Sequence, residues 1–164
     1  MKSLKYWTVY RKLVIWVNHH FPVTLAKMRF RKLFGRNLDL KNPKDLNEKI
    51  LWLSLFSDTT LWSQCADKYA VRDYVKGKGL DNILVKLYGK WDTAYDIEWD
   101  KLPQKFVIKT NNGAGTVLVV KDKSKLNIPE TIVLLDEWLS KDISSSTTEF
   151  HYRKIKPCII VEEL

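Results

Sequence analysis

Lys109 stands two residues ahead of the run Asn111-Asn112-Gly113-Ala114-Gly115-Thr116, whose two glycines are separated by a single alanine. Polyphosphate is held by backbone N–H groups that approach without a Cβ in the way, together with a cation. A glycine loop beside a lysine supplies both. The loop is flanked by the β-rich runs 106–109 and 116–120, so the pattern predicts strand, glycine loop, strand. It is not Gly-x-Gly-x-x-Gly and lacks the Gly-Lys-Ser/Thr ending of a Walker loop. A strand rather than a helix follows it, which argues against Rossmann and P-loop sites. The same residues also fit a plain hairpin whose Asn-Gly turn serves geometry alone.

Two further charged groups carry functional chemistry or none. Asp67-Lys68, with Arg72 one turn on, reads singly as a solvated helix face, and Glu162-Glu163 after an apolar run reads singly as a strand exit. Metal-ligand spacing is missing. Cys65 and Cys158 lie 93 positions apart, His19 and His20 are adjacent and diverge on a helix, and His151 stands alone between Phe150 and Tyr152. No zinc site is expected, and both cysteines are expected to be reduced and buried. An Asp-x-Asp pair of the kind that holds metal in many sugar-nucleotide glycosyltransferases is absent too. Asp92 and Asp96 are too far apart, and Asp96-Ile97-Glu98 is a loose imitation.

The elements that must position these groups follow from periodicity. Leu4, Trp7, Val14 and Val17 recur near a helical period, Phe21-Pro22 interrupts it, and a second helix is predicted over 24–34 with Gly35 as its stop. Asn42 or Asn47 is the expected cap of a helix over 48–56 that carries Ile50, Leu51, Leu53, Leu55 and Phe56 inward. After a turn at 58–60, an amphipathic helix from Asp67 is expected to bury Ala70, Val71, Tyr74 and Val75 and to close at Gly77 or Gly79. A strand over 83–88 ending at Gly89, a loop over 96–103, a helix over 130–139 and a buried strand over 158–161 complete the α+β pattern.

The net charge of +9 is local. Residues 1–36 hold nine Lys and Arg and no acid precedes Asp39, while the other 19 basic residues are balanced by all 19 Asp and Glu. The reading is therefore a basic helical arm, 1–38, and a neutral body, 39–164. Leu4, Trp7, Tyr10, Trp16, Val17, Phe21 and Phe30 interleave with the arm's charge. A plain packed helical arm is the first reading of that combination, and docking on an anionic membrane surface or an assembly partner the second. Nucleic acid is disfavoured, since no reading module is present. The longest apolar run in the arm, 13–17, is far short of the roughly 20 residues of a spanning helix, and no secretory cleavage pattern follows it. A cytoplasmic protein is expected, with peripheral attachment at the inner membrane face as the alternative that the arm offers.

What ties the motifs together is their order: an Asp-Lys helix, a lysine and glycine hairpin, then an apolar strand ending in Glu-Glu-Leu. That order resembles the ATP-grasp superfamily, and more narrowly the TupA-like ATP-grasp family, named for teichuronopeptide biosynthesis and often labelled glycosyltransferase in polysaccharide gene clusters. The matching stretches are Leu46-Asn47-Glu48-Lys49-Ile50, the nine residues from Asp67, the eight ending at Lys109, the loop at 111–115, and Ile159-Ile160-Val161-Glu162-Glu163-Leu164.

The resemblance implies a lid-type subdomain of antiparallel strands with helices against one face, and ATP as ligand. Lys68 would lie on the phosphate side and Lys109 would bind the α- and β-phosphates. Asn111, Asn112, Gly113, Ala114, Gly115 and Thr116 belong to the loop, of which 112–116 would close as a mobile lid. Glu162, Glu163 and Leu164 would form the hinge beside adenine, largely through backbone groups. The family loop usually reads Asn-His-Gly-Ser-Gly; Asn112 and Ala114 stand where an imidazole and a hydroxyl could touch phosphate, which implies weaker phosphate contact. The family's Mg²⁺ ligands and acceptor groups lie in a half that follows the hinge. The expectation is therefore an incomplete ATP-dependent carboxylate–amine ligase, truncated before the catalytic core half. Its rivals are a glycosyltransferase and a non-catalytic docking module.

Overall fold

The computed structural model describes residues 12–141, 144 and 147–164. Its contacts divide the chain into two units, one of residues 1–61 with 143–153 and the other of residues 62–142 with 154–164. In the first unit Leu51 and Leu55 pack with Ala26, Phe30 and Leu38.

In the first unit residues 12–20 are helical (α1), followed by α2 (Pro22–Phe34) and α3 (Leu46–Phe56). Leu4, Trp7 and Tyr10 lie outside the described residues. Pro22 occupies the first turn of α2, where its missing N–H costs nothing, so the helix starts before residue 24. Gly35, at φ +70°, donates its N–H to Arg31 O at 2.9 Å and ends α2 as predicted.

The cap of α3 is neither Asn42 nor Asn47 but Asp45, whose Oδ1 accepts the Glu48 N–H at 3.0 Å. Glu48 folds back to accept the Lys44 N–H at 2.8 Å and Arg36 Nη1 at 2.5 Å. Of the five apolar residues expected inward, Leu51 and Leu55 pack on the cluster, while Ile50, Leu53 and Phe56 are exposed. Apolar residues surround α3, so periodicity could not pick its inner face. That face includes Glu48 and Ser54, the latter donating to Thr148 O at 3.3 Å.

The Lys44 N–H first, then Arg36, hold Glu48 down to about 2 from an ordinary 4.5. A lowered carboxylate contributes stability that is complete above its unfolded value and lost as pH falls through the folded one. The stability advantage of the wild-type chain over Glu48→Gln is therefore expected to be constant above pH 4.5 and to shrink towards pH 2. Melting temperatures of both proteins across that range check it.

The chain enters the second unit through α4 (Thr60–Ala66), which the turn-like Asp58-Thr59-Thr60 concealed. Asp58 Oδ1 accepts the Thr60 N–H at 3.0 Å and so starts a helix. The helix predicted from Asp67 is α5 (Val71–Lys76), because Asp67 Oδ1 accepts the Tyr69 and Ala70 N–H groups and sets residues 67–70 in a turn. Ala70, Val71, Tyr74 and Val75 are half-buried rather than buried.

Four strands, β1 (Leu87–Trp91), β2 (Phe106–Thr110), β3 (Val117–Val120) and β4 (Ile159–Glu162), form a sheet in the order β1-β4-β2-β3 with every neighbouring pair antiparallel. β1 starts later than residue 83. Gly89 lies inside it at a register irregularity rather than at its end, where a Cβ would strike the Trp91 ring. α6 (Ile128–Leu139), capped by Asn127, places Leu135 in the core with Phe106, Ile108, Ile159 and Val161. This core covers one face of the sheet.

Candidate functional site

Successive residues of a strand point to opposite faces, so Val107 and Lys109 lie on the face away from Phe106 and Ile108. Glu162 is the cross-strand partner of Val107, and directly opposed residues share a face. That register brings Lys109 Nζ into an ion pair with Glu162 Oε2. Arg72 of α5 donates through Nη1 to Glu162 Oε1 at 3.0 Å and through Nη2 to Val85 O at 2.6 Å. The side chains of Glu162 and Arg72 are 7% and 11% exposed, and Lys109 is 22% exposed. One largely buried carboxylate thus joins two cations from different elements.

At the end of β2 the glycine loop has a fixed base and an exposed tip. Thr110 and Thr116 close the neck, with their hydroxyls 2.6 Å apart and the Thr110 N–H on Thr116 O at 3.3 Å. Asn111 is fully engaged within the fold. Its Nδ2 donates to Lys156 O at 3.0 Å, and its Oδ1 accepts the Cys158 N–H at 2.8 Å. Asn112 and Gly113 are buried, while Ala114 and Gly115 are exposed and Gly115 sits at φ +77°, which favours glycine.

Lys68 pins this loop from the side. Its N–H donates to Asn111 O at 3.0 Å and its Nζ to Gly113 O at 2.5 Å. The N–H groups of Asn112, Gly113, Ala114 and Gly115 donate to no acceptor among the described residues. Two of these four consecutive main-chain donors are on buried residues, where an N–H left unpaired is costly, so they are available to an anion.

The electrostatics point the same way. Burial, and then the charge of Lys109, push the Lys68 ammonium below its ordinary value, while Asp67 and Glu162 pull it back up. Lys68, Lys109 and Arg72 face the two carboxylates Asp67 and Glu162, an excess of positive charge around the loop. A Cβ on Gly113 would fall on the Thr116 hydroxyl and crowd that of Thr110. Gly113→Ala is expected to break the hydroxyl pair and lower stability by about 1–3 kcal/mol through overpacking. Urea unfolding of the variant measures this, and an unchanged midpoint would contradict the assigned loop geometry.

The structure therefore brings together Lys68, Lys109, the loop Asn111 to Thr116 and Glu162. Glu163 and Leu164 lie past the other end of β4, with the Glu163 N–H on Lys86 O at 2.9 Å and the side chains of both residues exposed. Sequence reading took Arg72 only as part of a charged helix face and assigned no role to the side chain of Glu162 or to the Thr110–Thr116 hydroxyl pair. The four-residue spacing of Lys68 and Arg72 and the hydroxyls flanking the loop were the available signals.

Cys158 is buried, and burial pushes its thiol up to about 11, which makes it inert. Cys65 is exposed, contrary to the expectation that both cysteines are buried, because it sits on the outer side of the unforeseen α4. Among the described residues no three His, Cys, Asp or Glu side chains converge to hold a metal ion.

Fold and site together define an α+β unit in which a glycine hairpin and three cations are gathered on one face of an antiparallel sheet. The TupA-like ATPgrasp family model matches residues 48–164, and the chain belongs to that family. No curated protein and no solved structure matches it.

Proposed function

We propose that this chain binds ATP along β4, with the triphosphate at the glycine loop and the adenine beside Glu162, Glu163 and Leu164. The observation that carries the reading is the run of four N–H groups at 112–115 that meet no acceptor among the described residues, flanked by the ammonium groups of Lys68 and Lys109. Backbone donors would hold phosphate oxygens, Lys109 would offset their charge from the strand, and Lys68 would fix the loop while adding its own charge. From Ile159, opposite Thr110, to Glu163 is four strand steps, about 14 Å. An extended nucleoside triphosphate can bridge that distance. The exposed tip, Ala114 and Gly115, is the part of the loop free to close over it.

Family membership supports a reaction class. The substrate carboxylate oxygen attacks the γ-phosphorus of ATP and ADP leaves; an amine then attacks the acyl carbon and phosphate leaves. The product would be an amide in a cell-surface polymer. The residues described here serve the nucleotide side of that reaction, and no step is assigned to a metal among them. Thermal stability measured with ATP and, separately, with UDP-glucose tests the reading. A rise in melting temperature with ATP alone supports it, and a rise with UDP-glucose alone replaces it with sugar-nucleotide binding.

A further inference from the structure

The family match begins at Glu48 and leaves α1 and α2 unaccounted for. On α1 the exposed residues Lys12, Leu13, Trp16, His19 and His20 form one helical stripe, given their spacing of three, four and seven. Lys12, Trp16, His19 and His20, with Ile15, line an open hollow of about 390 Å³. Trp16 also lies against Phe21 at 5.7 Å between ring centres, which carries the apolar strip across the α1–α2 junction. On α2 the outward face holds Lys27, Met28, Arg31 and Phe34, opposite the buried Leu25, Ala26 and Phe30.

Leu13, Trp16, Phe21 and Met28 are 55%, 53%, 52% and 63% exposed, a degree of apolar exposure that calls for a partner. The exposed cations Lys12, Lys27, Arg31 and Lys32 carry no ion pair among the described residues. Nearby acids do not neutralise them: no Asp or Glu precedes Asp39, and Asp45 and Glu48 are bound to Arg36. No helix of the described residues is long and apolar enough to cross a membrane.

We propose that α1 and α2 dock on an anionic lipid surface, with the basic side chains at headgroup phosphates and Leu13, Trp16, Phe21 and Met28 inserted at the interfacial depth. The mixture of residues selects this partner. Nucleic acid would satisfy the charge but gives Leu13 and Met28 no π-stacking role, whereas the headgroup boundary takes cations, indole and aliphatic chains together. The surface belongs to the first unit and does not depend on nucleotide binding.

Sedimentation of the full chain with vesicles of phosphatidylcholine, with and without phosphatidylglycerol, tests it. Binding is expected only with the anionic lipid and is expected to weaken as salt is raised. Lys27→Gln with Arg31→Gln should lower partitioning about 30-fold, the product of two surface charges. Trp16→Ser with Met28→Ser should also lower it, about tenfold or more, which purely electrostatic adsorption would not show. All four positions are exposed, so the variants keep their core. Equal binding to both vesicles, no sedimentation with either, an unaffected apolar variant, or preferential capture by RNA would overturn the assignment.

Discussion

Lys109→Ala is expected to weaken ATP binding by about 10- to 100-fold, the ~1.5–3 kcal/mol of a charge-assisted hydrogen bond. The loss has two parts. The ammonium that would meet the phosphates is gone, and Glu162, paired with both Lys109 and Arg72 in the structure, keeps only Arg72 and turns its remaining charge towards the site. Lys109→Arg should recover part of the affinity, since a guanidinium restores the charge without the compact geometry of an ammonium. A fluorescent ATP analogue displaced by ATP provides the measurement, with far-ultraviolet circular dichroism as the control for folding. Equal affinity in the wild-type and alanine proteins would remove Lys109 from the site.

Glu162→Leu is expected to produce the largest loss of stability, about 3–5 kcal/mol, because it leaves two cations uncompensated at a largely buried position. The argument rests on asymmetry. A buried ion pair contributes little beyond an apolar replacement of the same shape, but removing one partner exposes the desolvation penalty of the others. Combining Glu162→Leu with Arg72→Met and Lys109→Met should therefore recover much of the loss. Removing Glu162 also withdraws one of the charges that hold the Lys68 ammonium up, so Lys68 should lose its proton at lower pH in the single variant. Urea midpoints of the single and triple variants settle the first point. A single variant as stable as wild type would mean that the carboxylate does not hold Arg72 and Lys109 together in solution.

The hairpin was the part of the site most legible in the sequence. The run 106–109 is β-rich, Gly113 and Gly115 mark the turn, and the apolar run at 158–161 reads as a buried strand. These features depend on residues close together in the chain. What escaped depends on partners far apart. The side chain of Glu162 meets Lys109 only because β4 lies beside β2 in one particular register, and a shift of one residue would send it to the other face.

Arg72 is similar, since nothing near it in sequence announces Glu162 or Val85 O. In the first unit, Asp45 outcompeted Asn42 and Asn47 as the cap because Glu48 lies three residues beyond it and Arg36 binds both acids. Gly89 looked like a stop and lies inside β1 at a register irregularity, a distinction set by Trp91 and by pairing with β4.

Calorimetric titration of the full chain with ATP tests the central claim most directly. The account predicts saturable binding of one nucleotide per chain, at least tenfold weaker in Lys109→Ala. No heat and no ATP-induced rise in melting temperature, from a chain that unfolds cooperatively, would contradict it.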